Sequence, residues 1–402
     1  MITKKRVLQL FLLIIIVAAS ITLLVEQKRP SAASTNVLPH VQGAQLIDSS
    51  GNPFLLRGAQ IENPLAYMNP WKNIKNVQND FTRKLNSTVF QQMSQKWHMN
   101  AVRLPLSNWV FANYQKQFFS LLDPAIQQAN QAGLYVILDL HDYRQGGSPY
   151  GSGANAPKPE SVTFWKAIAA HYLNNPMVMF DAYNEAHYTS ANQWLKGGGT
   201  QTGSTGKTAQ VIGMQALVNT IRATGAKQII IIGGVHVAGT LRINDPNIMY
   251  TAHTYHKVAA GNPTVWDKEW GSFKGHYPLF YGEWALLPNS NVSRRCETAT
   301  MQNANQKVTA FLNYMGQNQI SWTAWQFDVP YLLQNRTTFT PTRLDDPNNH
   351  WTCNSPNAVA GMGATIQKYL SSHSSLSNQG STSSDQNTSP RQTTRTFALP
   401  RH

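Results

Sequence analysis

Cysteine is nearly absent from this 402-residue chain, and charge is sparse, at 13% of residues. Cys296 and Cys353 are the only two thiols. A structural zinc site needs more ligands than two distant thiols supply. Acidic residues are the scarcer of the two charged classes: 19 Asp and Glu stand against 33 Lys and Arg, a formal charge of +14. That excess is not gathered in one place. Residues 1–30 hold five basic and one acidic residue, and residues 371–402 hold three and one, which leaves +8 for everything between. No Lys/Arg run there is longer than Arg294-Arg295. Nucleic-acid binders concentrate positive charge on one face or strip, so no nucleic-acid partner is expected. Dispersed charge suits solubility, or attraction to an anionic envelope.

Two nucleotide-binding motifs are also missing. No GxGxxG follows the first strand-like run, which argues against a dinucleotide fold. Gly203-Ser204-Thr205-Gly206-Lys207-Thr208 has the end of a phosphate-binding loop, but the motif requires glycine at position 201, where Gln201 stands. No strand is expected to lead into it.

Among long apolar stretches, one stands out. Met1 to Arg6 is basic, and residues 7–25 are apolar apart from Gln9, Ser20 and Thr22. This is the layout of a secretory signal or of a membrane anchor, with cleavage candidates at Ala18-Ala19-Ser20 and Ser31-Ala32-Ala33. Either way the remainder is expected outside the cytoplasm, secreted or held on the outer side of a membrane through residues 7–25. In that setting Cys296 and Cys353 are expected to form a disulfide, worth about 4 kcal/mol in the chain-entropy view. At the other end, residues 371–402 are rich in Ser, Thr, Gln and Asn and cannot bury enough apolar surface to order, so they are expected to be disordered. The expected organisation is signal or anchor (1–30), linker (31–44), one large folded domain (45–370) and polar tail (371–402).

Inside that domain, short apolar runs alternate with helical patterns. The strand candidates are Phe54-Leu55-Leu56, Ala101 to Leu104, Tyr135 to Leu140, Val178 to Ala182, Ile229 to Ile232, Ile248 to Thr251, Leu279 to Tyr281 and Ser321 to Trp325. Continuous apolar runs belong to parallel strands covered on both faces. Helical stripes lie between them. One is expected to start at Asp123-Pro124 and close at Gly133, another opens at Ser161, a third runs from Val211 to Gly225 and a fourth from Val308 to Gly316. A strand-then-helix rhythm of this length predicts an α/β fold, a (β/α)8 TIM barrel, with Gln45 to Leu56 as a short N-terminal β-hairpin plugging its bottom.

In such a barrel, chemistry sits at the C-terminal ends of the strands. Arg103 falls near the end of the second run, His141 after the third, Asn184 and Glu185 after the fourth, His253 and Tyr255 after the sixth, Glu283 after the seventh, and Trp325 at the end of the eighth. Two carboxyl groups facing each other are the minimum apparatus for hydrolysing a glycosidic bond. Arg103 and Tyr255 suit Glu283 as partners that keep it ionised. Asn184 is a neutral donor for a sugar hydroxyl, His141 and His253 could fix hydroxyls, and Trp325 offers a flat face to a pyranose. His253 and His256 share a spacing that holds a metal on a helix, but here they follow a strand, so no metal and no cofactor is expected.

Val102-Arg103-Leu104-Pro105, Asp139-Leu140-His141, Tyr183-Asn184-Glu185, His253-Thr254-Tyr255, Tyr281-Gly282-Glu283-Trp284 and Trp322-Thr323-Ala324-Trp325 together resemble the landmarks of glycoside hydrolase family 5, the large cellulase family. The resemblance spans about Gln45 to Leu370. It implies a retaining, metal-independent hydrolase with Glu185 as acid/base and Glu283 as nucleophile, supported by Arg103, His141, Asn184, His253, Tyr255 and Trp325. A β-1,4-glucan is the leading substrate it implies; β-mannan, β-1,3-glucan and xyloglucan stay open, as does a non-catalytic glycan-binding scaffold. A monomer with a polysaccharide substrate is expected, without a separate carbohydrate-binding domain. Loop 146–159, which contains Tyr150 and follows Tyr143, and loop 197–206 are expected to wall the cleft. Trp71, Trp109, Trp194, Trp266, Trp270, Trp284 and Trp351 are the candidates for sugar platforms.

Overall fold

The computed structural model describes residues 38–67, 71, 73–141, 153–286, 303–344 and 361–373. The apolar segment 7–25, Tyr143, Tyr150, Cys296, Cys353, Trp351 and the tail beyond 373 lie outside them. Among the described residues, no helix is long and apolar enough to cross a membrane.

Three short strands come first: β1 (His40–Gln42), β2 (Gln45–Ile47) and β3 (Pro53–Phe54), paired antiparallel in that order. Then β4 (Arg57–Gln60), β5 (Ala101–Leu106), β6 (Tyr135–Leu140), β7 (Val178–Asp181), β10 (Ile230–Ile232), β11 (Ile248–Thr254), β12 (Leu279–Trp284) and β13 (Ser321–Ala324) close into a parallel barrel. The remaining pair, β8 (Gly197–Thr202) and β9 (Thr208–Ile212), is an antiparallel hairpin outside the barrel. This is the expected (β/α)8 architecture.

Alternation along the strands divides the core in two. Ala101, Ile137, Met179, Ile229, Ile231, Met249 and Phe280 form one apolar cluster with Leu46 and Leu56 of the N-terminal segment. Their neighbours Val102, Val136, Val178, Phe180, Ile230 and Tyr250 belong to the second cluster, with the helices. Successive strand residues face opposite sides, so the first set fills the barrel's lower interior and the second packs outward. The antiparallel strands cap this lower layer, and Val41 N donates to Asn247 Oδ1 at 2.8 Å.

Several boundaries differ from expectation, each for a physical reason. The first barrel strand is Arg57–Gln60, not Phe54-Leu55-Leu56. Phe54 pairs with Leu46 in the cap, and Leu56 is buried in the lower cluster. The true strand carried no apolar signature because it is built of small and polar residues, and Gly58 has to be small: a Cβ there would lie 1.9 Å from the Ala101 carbonyl oxygen. The expected linker already enters β1 at His40, and the helix Gly363–Ser372 takes the first residues of the expected tail. Asp123-Pro124 does not start a helix. The helix runs Asn108–Gln131 from a Ser107 cap, bent at Tyr114, and Asp123 instead accepts from Tyr172 Oη at 2.6 Å, tying it to the helix Pro159–Tyr172.

The loop expected at 197–206 is the β8–β9 hairpin. A strand does lead into Gly203, but Gly203 N donates to Lys207 O, so the chain turns straight back and no phosphate loop forms. Trp71, Trp194, Trp266, Trp270 and Trp284 are buried, not rim platforms. Trp194 Nε1 donates to Gly233 O at 2.8 Å and Trp266 Nε1 to Lys257 O at 2.8 Å, so their polar tips are satisfied inside. Trp109 alone of the described candidates stays half-buried, 5.9 Å from the Tyr114 ring.

Gly58→Ala tests how tightly β4 and β5 are drawn together. The clash is with backbone, which cannot rotate away, so unfolding free energy in a urea titration is expected to fall by about 3 kcal/mol or more. An unchanged midpoint would mean the strands stand further apart.

Candidate active site

The upper interior of the barrel continues the inward-facing rows, but with charge in place of hydrocarbon. Arg103 lies two residues beyond Ala101, Asp139 two beyond Ile137 and Asp181 two beyond Met179. Register places Gln60 beside Arg103, Asp139 beside Asp181, and His253 beside Glu283. Sequence reasoning put His253 and Glu283 after their strands. They lie inside β11 and β12, because the ladder continues past its apolar portion through a register shift at Ala252/His253.

Arg103 is fully buried and binds on every side. Its Nη1 donates to Glu283 Oε1 at 2.7 Å and to Gln60 Oε1, its Nε to Asp181 Oδ2 at 3.0 Å, and its Nη2 to Asn184 Oδ1 at 3.1 Å. Asp139 Oδ1 is also 3.0 Å from Nη2, without hydrogen-bond alignment. Burial works against its charge, but Asp139, Asp181 and Glu283 outweigh it and hold the guanidinium more firmly protonated than usual.

Glu283 is 3% exposed, and both its oxygens are engaged. Oε1 faces Arg103, and Oε2 accepts from Tyr255 Oη at 2.5 Å. Burial, reinforced by the charges of Glu283 and Glu185, pushes the Tyr255 pKa well above its ordinary value, so the phenol stays a donor. A carboxylate held by a cation on one oxygen and a phenol on the other is fixed in orientation by charge-assisted hydrogen bonds.

Glu185 is placed differently. It follows β7 in a left-handed conformation, φ 42°, which non-glycine residues seldom adopt and which marks a position determined by its surroundings. Its side chain is 41% exposed. His253 lies between the two acids, with Nδ1 3.2 Å from Glu185 Oε1 and 3.6 Å from Glu283 Oε2. Burial favours neutral His253, but Glu283 and the bond to Glu185 prevail and raise its pKa. These three groups present ligand-type atoms within 4.8 Å of one another. They are the described residues nearest to a metal-binding set, although Glu283 already spends both oxygens on Arg103 and Tyr255.

His141 and Asn184 complete the ring. His141 Nδ1 is 2.7 Å from Asp139 Oδ2, which fixes its orientation and leaves Nε2 facing Asn184 Nδ2 at 3.5 Å. Burial opposes protonation of His141, yet Asp139 and Glu283 turn the net shift upward. With its Oδ1 taken by Arg103, Asn184 presents its amide nitrogen to an incoming hydroxyl. Trp325 sits at the mouth, 8% exposed, with its ring edge-on to Tyr255 at 6.3 Å and to Tyr331 at 6.1 Å. It is more deeply set than an open platform.

All eight expected rim residues therefore meet at one end of the barrel. Those missed are Gln60, Asp139 and Asp181, all fully buried. A signal was present: an acid inside an apolar run, as in Tyr135 to Leu140 and Val178 to Asp181, is rarely buried without a partner. Cys296 and Cys353 lie outside the described residues, as does the side chain of His256.

The family profile described as cellulase (glycosyl hydrolase family 5) matches residues 47–329. An endoglucanase of Paenibacillus polymyxa is 25% identical over 348 residues, 74% of this chain and 81% of its own. The cellulase CelDZ1 of a Thermoanaerobacterium species is 26% identical over 340 residues, 80% of this chain and 78% of its own. Among solved structures, the β-glucanase SdGluc5_26A of Saccharophagus degradans shares the fold with a TM-score of 0.60 at 20% identity, over 85% of this chain and 94% of that one. With its profile match covering well over half the sequence, the chain belongs to the cellulase family, glycosyl hydrolase family 5.

Proposed function

We propose that this chain hydrolyses internal β-1,4 bonds of a glucan with retention of configuration, with Glu283 as nucleophile and Glu185 as acid/base. One observation carries the reading: the two carboxyl groups approach within 4.8 Å, yet one is buried and doubly held while the other is open to solvent. Retaining enzymes place their carboxyls about 5 Å apart, whereas inverting enzymes leave roughly 6.5–9.5 Å for a water.

In the first step a Glu283 oxygen attacks the anomeric carbon while the Glu185 carboxyl gives its proton to the departing glycosidic oxygen. The carbon–oxygen bond to the leaving sugar breaks and an ester to Glu283 forms. In the second, Glu185 takes a proton from water, the water oxygen attacks the same carbon, and the carboxylate of Glu283 departs. Burial suits each part. Arg103 and Tyr255 hold both oxygens of Glu283 and aim it, while Glu185 keeps the exposure it needs to exchange protons with leaving group and water. Asn184 Nδ2 and His141 Nε2 face the same space, where hydroxyls of the bound sugar would be held. The β-1,4-glucan assignment rests on relatives named endoglucanase and cellulase; mannan and β-1,3-glucan are the alternatives that a substrate panel distinguishes.

A polymer of this kind lies outside the cytoplasm. Export through the apolar N-terminal segment and a Cys296–Cys353 bridge belong to the same reading; a mass gain of about two hydrogens on reduction tests the bridge.

The full chain is expected to release reducing ends from carboxymethyl cellulose and barley β-glucan more readily than from laminarin or glucomannan. Glu283→Gln should lose activity by about ten-thousand-fold or more. Glu185→Gln should lose about a hundred- to ten-thousand-fold on the polymer, and less on an aryl glycoside whose leaving group needs no proton. Proton NMR should show the β-anomer forming first. An α-anomer, or activity that survives Glu283→Gln, would contradict the assignment.

A further inference from the structure

Arg103 is shared by more negative charge than it can balance. Three buried carboxyls approach it: Glu283 on Nη1 at 2.7 Å, Asp181 on Nε at 3.0 Å and Asp139 at Nη2 at 3.0 Å. Excess charge in a buried site is costly, and one group relieves it by holding a proton. Glu283 has Tyr255 as a second donor, and Asp139 has His141. Asp181 is fully buried, and its Oδ1 has no hydrogen-bond partner.

We propose that Asp181 is a positioning residue that sets how much of the Arg103 charge reaches Glu283, and so the reactivity of the nucleophile. The proposal rests on the hydrolase reading above. Geometrically, Asp181 anchors the Nε edge of the guanidinium, which leaves Nη1 directed at Glu283 and Nη2 at Asn184. Electrostatically, an ionised Asp181 draws the guanidinium charge toward itself, leaving Glu283 more electron-rich and better able to attack. A protonated Asp181 releases that charge to Glu283, which becomes a weaker nucleophile. The groups that face Asp181 are Arg103 from β5, Asp139 from β6 and, at longer range, His253 from β11, with Glu283 of β12 beyond the guanidinium. Burial, with a further push from Asp139 and against the pull of Arg103 and His253, raises the Asp181 carboxyl to about 6.

The test is kcat/KM of the full chain on an aryl β-cellobioside across pH, for wild type and Asp181→Asn, which keeps the shape without the charge. Wild type should show an acid limb with an upper step near pH 6 above the final loss of activity. Asp181→Asn should lack that step, running about 10- to 100-fold below wild type under alkaline conditions and converging with it at acid pH. A merely structural role would lower the whole profile by one factor, and that result, or a profile identical to wild type, overturns the proposal. If Asp181→Asn does not fold by circular dichroism, Asp181→Ser carries the same expectation. Arg103→Lys, which lacks the Nε donor, should lose the upper step as well; a step that persists there also overturns it. No cleavage by wild type at all would instead defeat the hydrolase reading and take this inference with it.

Discussion

One buried guanidinium organises the upper half of this barrel. Arg103 has no contact with solvent, and its three nitrogens reach five residues on four barrel strands and their ends: Gln60, Asp139, Asp181, Asn184 and Glu283. Taking a cation out of water costs several kcal/mol unless its donors are matched. Here the match is made by residues whose other contacts form the site, Asp139 through His141 and Glu283 through Tyr255. Removing the arginine would leave Asp181 without its only hydrogen-bonded cation, and Asp139 and Glu283 with only His141 and His253 as cationic neighbours.

That arrangement depends on the layer beneath it. Apolar side chains from Ala101 to Phe280 fill the lower interior and the antiparallel cap closes it. The same inward-facing rows then carry charge one step higher. Strand register decides which acid meets which base: Gln60 beside Arg103, Asp139 beside Asp181, His253 beside Glu283. A slip of one residue on any of these strands would turn its charged group out among the helices.

Much of this was legible in the sequence. Barrel architecture followed from apolar runs with helical stripes between them, and both glutamates were found because each stands where such a run ends. Legibility failed where packing, not pattern, decides. Arg57–Gln60 has no apolar signature, since its defining property is the close approach at Gly58. The platform tryptophans failed for the opposite reason. An aromatic residue after a strand suits a sugar or a helix–barrel seam equally, and Trp194, Trp266, Trp270 and Trp284 all went to the seam. Asp139 and Asp181 stood in plain view, but their importance appears only once Arg103 is seen between them. The hairpin β8–β9 was hidden by glycine content that reads as a loop, although Gln201 pins it by accepting from Ala156 N at 2.9 Å and donating to His187 O at 2.8 Å.

The division of labour between a buried, doubly held Glu283 and an open Glu185 is the central claim, and trapping the intermediate tests it most directly. A 2-deoxy-2-fluoro cellobioside with a good leaving group slows the second step more than the first. The account predicts an inactivated protein heavier by one fluorosugar, with the added mass on the peptide that carries Glu283. An adduct on Glu185, or turnover of a competent substrate with no trapped ester at all, would contradict it.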